Sequence, residues 1–226
     1  MTHPISPAQL SQFELFAGLQ TEDLSAVAQR MEPLRLRRHF QIFYPGQQAE
    51  FLYFVVEGVV KISQLDDEYR EVIKFVHRAG AHFGELGLAG ESQRVNYATL
   101  QSSDVHLLRI PLTDFRQLMQ AVPGLQLAVL THIARRLRRA EQKLESLVLH
   151  DARQRIVAYI KESAERYGRN VGYERTFRHY LTQQDIANYT GTSRQTVTSV
   201  LNELKKENRI TFDRRRFLVR DMATLR

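Results

Sequence analysis

Apolar residues recur in two rhythms along this chain, and the change from one to the other divides it. Leu10, Phe13, Phe16, Leu19, Leu24, Val27, Ala28 and Met31 are spaced as on a helix across 7–32, with an interruption near Gly18. The spacing predicts two helical pieces, the second capped by Thr21 and running over 22–30. From Leu34 the period falls to two. LRLRRHFQIFYPG alternates and breaks at Pro45-Gly46, and FLYFVVEGVVKISQL reads as an apolar strand pair punctuated by Glu57-Gly58. Asp66-Asp67-Glu68 marks a turn, REVIKFV is a further strand, and 78–80 begin another turn. Residues 96–100 and 105–110 complete the series. Short strands set apart by Gly, Pro and Asp turns predict a sandwich or jelly roll. Pro111 closes the last strand and 113–122 reads as a short helix.

After Pro123-Gly124 the helical period returns over a long stretch, LQLAVLTHIARRLRRAEQKLESLVLHD. Leu130, Leu137 and Leu144 fall seven apart, with Ile133, Ala140 and Leu147 interleaved at the same interval. An a/d seam over about three heptads predicts a helix that pairs with a second copy of itself. The alternative is a helix packed on its own domain. Arg135, Arg136, Arg138 and Arg139 are expected on its solvated flanks. His150-Asp151 reads as a hinge. Residues 152–167 form an amphipathic helix with Ile156, Val157, Ile160 and Ala164 inward, and 168–178 reads as a polar loop.

Residues 181–204, LTQQDIANYTGTSRQTVTSVLNEL, predict two short helices and a tight turn. Thr182 with Asp185 fits a capping box. Ala187 is small where two helices cross, and Gly191 suits a turn that excludes a Cβ. Thr192 and Ser193 can cap the second helix. Ile186, Val197, Val200, Leu201 and Leu204 supply the apolar side. Arg194, Gln195, Thr198, Ser199 and Asn202 face outward, side chains suited to base edges and phosphates. This is a helix-turn-helix whose second helix is shaped for a major groove. Residues 209–220 then read as a hairpin, Ile210 and Phe212 on one strand, Phe217 and Val219 on the other, with Arg214, Arg215 and Arg216 at its tip. Such a wing lies along phosphates. Thr182, Gln183, Thr192, Ser193, Arg194, Gln195, Thr198, Ser199, Arg214, Arg215 and Arg216 are the candidate contacts to double-stranded DNA. An ordinary αα-hairpin would explain the apolar offsets, but not the basic hairpin that follows.

Charge sharpens this division. Residues 1–150 hold 16 Lys+Arg against 16 Asp+Glu, whereas 151–226 hold 16 against 9, so the whole net charge of +7 lies in the segment with the helix-turn-helix. A basic module joined to a neutral one suits phosphate binding by the first alone. The 226 residues are 43% hydrophobic and 25% charged, the balance of a globular protein. No apolar run reaches transmembrane length, so no membrane association is expected. The opening MTHPISPAQL lacks the basic region and apolar core of a secretory leader, and a cytoplasmic protein is expected. With no cysteine, disulfides, thiolate clusters and cysteine zinc sites are excluded.

The fold class read from these patterns is α+β: a β-roll with flanking helices over 1–122, a dimerisation helix over 123–150, and a winged helix-turn-helix over 151–226. That order resembles one family, that of the cyclic AMP receptor protein and the FNR regulators (CRP/FNR). The resemblance runs from about Phe13 to Val219 and is carried by GQQAEFLYFVVEGVVKI at 46–62, FGELGL at 83–88, ARRL at 134–137, and residues 181–201. It implies a homodimeric bacterial transcription regulator that meets RNA polymerase, with DNA affinity set by an effector in the roll. In the family's cyclic-nucleotide binders, a Gly-Glu-Leu turn followed by Arg-Ser holds ribose and phosphate. Here Gly84, Glu85, Leu86 and Arg94 match, and Val95 stands where the Ser would be. A Thr-Ser pair beyond ARRL reads the adenine in those relatives; Ala140 and Glu141 occupy those positions here. Three contacts are therefore missing. Glu85 and Arg94 serve either a small anionic or nucleotide-like effector or a structural ion pair. On the recognition helix Arg194 matches the family, Gln195 replaces a Glu and Ser199 replaces a second Arg. Arg194 then takes a guanine edge, while Gln195 favours adenine.

Two other classes fit parts of the pattern. A haem-based sensor on the same scaffold could use His77 and His82, although histidines in a β-domain are more often ordinary core or surface residues. A cupin-like metal enzyme would need a histidine-acid cluster; Glu57 and Glu85 have no histidine partner in the sequence pattern, and no nucleophile motif occurs. Enzymatic activity is not expected.

Overall fold

A computed structural model describes residues 5–37 and 40–225. Residues 1–4, from the segment read for a leader, residues 38 and 39, inside the alternating stretch, and residue 226 lie outside them. The chain divides into two compact units. One comprises 1–69 and 74–138, the other 70–73 and 139–226.

The first unit opens with α1 (Pro7–Leu10), a single 3-10 turn (Glu14–Phe16) and α2 (Thr21–Ala28). Thr21 is the first residue of α2 rather than its cap; Gln20 occupies the cap position and makes no side-chain cap bond. The strands are β1 (Glu32–Arg37), β2 (Gln41–Phe43), β3 (Phe51–Glu57), β4 (Val59–Leu65), β5 (Glu71–Arg78), β6 (His82–Phe83), β7 (Tyr97–Leu100) and β8 (Asp104–Pro111). They form two four-stranded sheets, ordered β1-β8-β3-β6 and β2-β7-β4-β5. Phe43, Val55, Val60, Ile62, Ala98, Leu100 and Leu107 pack between the sheets. The first sheet buries its other face too: Leu52, Phe54, Leu108 and Ile110 meet Phe13, Phe16, Val27 and residues from the helices that follow. This two-sided burial is why β3 is an unbroken apolar run instead of an alternating one. Phe16 stacks on Phe54 at 4.9 Å.

Pro111 is the last residue of β8, and α3 (Leu112–Ala121) follows it directly. The long helix α4 (Pro123–Leu149) begins on Pro123, whose missing N–H costs nothing in a first turn. The boundary between the two units falls inside α4. In the second unit α5 (Ala152–Tyr167) is opened by a capping box of Asp151 and Gln154 at the hinge. The segment read as a polar loop is instead a hairpin, β9 (Arg169–Val171) and β10 (Glu174–Arg178). Its polar side chains hid it: β9 is exposed throughout, so no apolar alternation marks it. The helices α6 (Gln183–Thr190) and α7 (Arg194–Lys206) come next, then β11 (Ile210–Phe212) and β12 (Arg216–Val219). The last four strands form one sheet ordered β11-β12-β10-β9, so the wing is half of a larger sheet.

Candidate nucleic-acid interface and effector pocket

The two helices are fastened at each end by the residues the sequence singled out. Thr182 Oγ1 accepts from Asp185 N at 3.1 Å, and Asp185 Oδ2 accepts from Thr182 N at 2.9 Å. Gly191 ends α6 with φ +66°, in the left-handed region, and a Cβ there would stand 2.9 Å from Leu147 Cδ2. The conformation demands glycine, while the leucine terminus could move aside. Ser193 caps α7, its hydroxyl accepting from Thr196 N at 3.0 Å. Ile186, Ala187, Val197, Val200, Leu201 and Leu204 are buried, which leaves Arg194, Gln195, Ser199 and Asn202 on the open side. Thr198 is half-buried and already engaged, with Gln183 Oε1 at 2.7 Å and Arg194 O at 2.9 Å from its hydroxyl.

One contributor had no signature in the sequence. Arg155 on α5 donates to Thr190 O at 2.8 Å, Gly191 O at 2.9 Å and His150 O at 2.6 Å. Carbonyls at a helix C-terminus have no partner within the helix, and this guanidinium supplies one. An arginine on an amphipathic helix otherwise reads as a solvated charge.

The wing tip is a defined turn. Asp213 Oδ1 accepts from Arg215 N at 2.6 Å and Arg216 N at 2.8 Å, and those backbone N–H groups hold its carboxyl below the usual range. Arg214, Arg215 and Arg216 are exposed around it. Beneath them Phe217 stacks between Phe177 and Phe212.

In the first unit, Gly84 turns the chain after β6 with φ +92°, and a 3-10 turn (Glu85–Ala89) follows. A small hollow, partly open to solvent, lies there, walled by Phe43, Phe83, Glu85, Glu91, Arg94 and Arg136 among others. Arg94 is buried. Its Nη1 donates to Gly84 O at 3.0 Å, its Nη2 to Phe51 O at 2.5 Å, and its nearest carboxylate is Glu91 at 3.8 Å. Buried Glu85 does not pair with Arg94. Its partner is Arg136 of α4, whose guanidinium also lies 4.4 Å from the Phe75 ring centroid. Arg136 therefore leaves the solvated flank expected for it and enters the roll. Burial lowers the pKa of both guanidinium groups and raises that of Glu91, with Arg94 and Lys74 pulling Glu91 back down.

Comparison with known proteins decides the family. A cyclic nucleotide-binding domain matches residues 33–122 and a Crp-like helix-turn-helix domain matches 154–226. The chain belongs to the CRP/FNR family. A CRP-like cAMP-activated global transcriptional regulator of Mycobacterium tuberculosis is 26% identical over 216 residues, 96% of each chain. A global nitrogen regulator of a Nostoc species is 28% identical over 83% of this chain and 85% of its own. Among solved structures, a CRP/FNR-family transcriptional regulator of Thermus thermophilus has a TM-score of 0.69 at 25% identity, covering 86% of this chain and 96% of that one. FixK2 of Bradyrhizobium japonicum shares the fold, with a TM-score of 0.78 at 21% identity over 86% and 95% of the two chains.

For this CRP/FNR regulator, the remaining candidates fall as follows. Gly84, Glu85 and Leu86 line the hollow with Arg94. Val95, in the place of the family's Ser, is 51% exposed. Ala140 and Glu141 are exposed on the second unit's part of α4. Leu130, Leu137 and Leu144 are 64%, 60% and 64% exposed, and Ile133 and Leu147 are exposed beside them. His77 stacks against Phe75 and Phe83, while His82 is buried with His132 at 3.9 Å. Burial, then His132, His77 and Arg136, hold the His82 imidazole well below its usual pKa. Glu57 has a surface partner that the sequence pattern did not suggest, His106 Nδ1 at 3.4 Å. Among the described residues no group of three or more His, Asp or Glu is placed to hold a metal ion, and no helix is long and apolar enough to cross a membrane.

Proposed function

We propose that this chain is a homodimeric regulator of the cytoplasm whose roll responds to a small anion rather than to cyclic AMP in the manner of the cAMP-activated relatives. It binds a palindrome with half-sites about one helical turn apart, ~34 Å, and meets RNA polymerase there. Arg194 takes a guanine edge, Gln195 sets the neighbouring preference, and Thr182, Gln183, Thr192, Ser193, Thr198 and Ser199 serve phosphates and base edges around them. Leu130, Ile133, Leu137, Ala140, Leu144 and Leu147 form the seam between two copies of α4.

The observation that carries the effector reading is the composition of the site. It keeps Arg94 and Glu85, while Val95 offers no hydroxyl, Ala140 no polar group, and Glu141 a negative charge. Each missing hydrogen bond to a charged or buried group costs about 1.5–3 kcal/mol, so three losses weaken binding by several orders of magnitude. A ligand that makes no differential contacts in two states cannot shift their balance. Thermal unfolding tests this, since a ligand at ~100 times its dissociation constant stabilises by about 2.7 kcal/mol. Micromolar cyclic AMP should leave the transition unmoved. An upward shift that is lost in Arg94→Ala and accompanied by tighter operator binding would overturn the reading.

A further inference from the structure

One polar group in the wall of the hollow belongs to none of the ion pairs. Asn96 immediately precedes β7, and it is 7% exposed. Its Oδ1 is fully enclosed and has no hydrogen-bond partner among the described residues. The strand's period of two places Asn96 in register with Ala98 and Leu100, both in the core between the sheets. Every other position on that face is apolar, so the sheet's packing gives no reason for a carboxamide there. Buried polar atoms in folded proteins are almost always paired, and one that is not calls for a function.

Its surroundings define what would pair with it. Asn96 shares the wall of the hollow with the rings of Phe43 and Phe83 and with the cations Arg94 and Arg136. Arg94 spends two of its N–H donors on Gly84 O and Phe51 O, which leaves three of its five for an oxyanion. Arg136 is already committed to Glu85. An ammonium group entering here would be drawn to the Glu91 carboxylate, whereas a hydroxyl suits a neutral carbonyl oxygen. The hollow is narrow, which favours a compact ligand.

We propose that Asn96 is a specificity-determining residue of the effector site, and that the effector is a small hydroxylated oxyanion, a phosphate or a carboxylate. Arg94 holds the oxyanion, and the ligand hydroxyl donates to Asn96 Oδ1. This rests on the reading of the roll as an effector site, and it adds what distinguishes one anion from another there.

The test uses matched probes on the full chain by titration calorimetry: glycerol 3-phosphate against propyl phosphate, and glycerate against propionate. In at least one pair the hydroxylated member should bind about tenfold more tightly. The pair that discriminates identifies the oxyanion. Asn96→Leu restores the apolar pattern, so it should raise the melting temperature. It should also level the two members of that pair without weakening the one that lacks the hydroxyls. Asn96→Asp should weaken both members, by repulsion. Equal affinities in the wild type, discrimination that survives Asn96→Leu, or no binding by either pair would overturn the proposal. Arg94-dependent binding of cyclic AMP with tighter operator binding would instead sink the proposed function, and would leave a hydroxyl preference at Asn96 standing.

Discussion

At the scale of single residues, the proposed function gives the outward face of α7 and the tip of the wing different work. Arg194 is exposed at the first turn of α7, where a guanidinium can take both acceptors of a guanine. Arg194→Ala should cost about 1–3 kcal/mol of operator binding and relax one base position. Neutralising Arg214, Arg215 and Arg216 together should weaken all sequences alike and flatten the salt dependence. A base-specific loss from the wing variant, in site selection from a random pool, would contradict that division. Lys143 gives a prediction of another kind. Its ammonium donates to Ile73 O at 3.0 Å and lies 4.2 Å from the Tyr189 ring centroid, and burial lowers its pKa to about 8 from 10.5. Below pH 8 the folded and unfolded chains both carry this proton, so the cost of burying it is constant. Between about 8 and 10.5 the unfolded chain binds a proton that the folded chain has released, and stability at this site rises with pH. Urea unfolding of Lys143→Met alongside the wild type isolates this contribution. The wild type should gain on the variant between pH 7.5 and pH 10 on the order of a kcal/mol or more, and parallel profiles would refute it.

At the scale of elements, the sequence disclosed whatever depends on local pattern. The capping box of α6, the glycine turn, the start of α5 and the two strands either side of Gly58 each rest on residues adjacent in the chain, although β3 and β4 enter different sheets instead of pairing with each other. Elements without an apolar rhythm were not legible. The hairpin of β9 and β10 is mostly polar, and β6 has only two residues. Side chains that act across elements were hidden as well. Heptad spacing says where α4 is apolar, but not that Arg136 reaches a carboxylate on a turn 51 positions earlier. Arg155 likewise gives no hint that it closes the end of α6, nor Asn96 that its oxygen is enclosed. The apolar stripe of α4 is visible in both: its leucines are spaced by seven and exposed on the single chain. An apolar stripe of that kind is satisfied by a second copy of the helix. Leu137→Asp should yield monomers in sedimentation and abolish operator binding. A variant that stays dimeric would place the interface elsewhere.

At the scale of the whole molecule, family, fold and DNA-binding end were legible because they depend on the order of segments. The effector was not, because it depends on which side chains share a hollow. The two arginines there have unequal freedom. Arg94 is moored to backbone on both sides, on β3 and on the turn at Gly84, so the protein's own folding has already fixed its rotamer. Capturing an anion at Arg94 would therefore cost little ordering entropy, and Arg94 would contribute mainly to affinity. A group placed alike in two states favours neither, so an Arg94 held this way would contribute little to signalling. Arg136 is anchored by one carboxylate and a ring face, and it rides on the helix that carries the seam. On the proposed reading the pocket divides into a half tied to backbone, which would hold the ligand, and a half carried on α4, which would report it, so that evolution could retune the message without rebuilding the receiver.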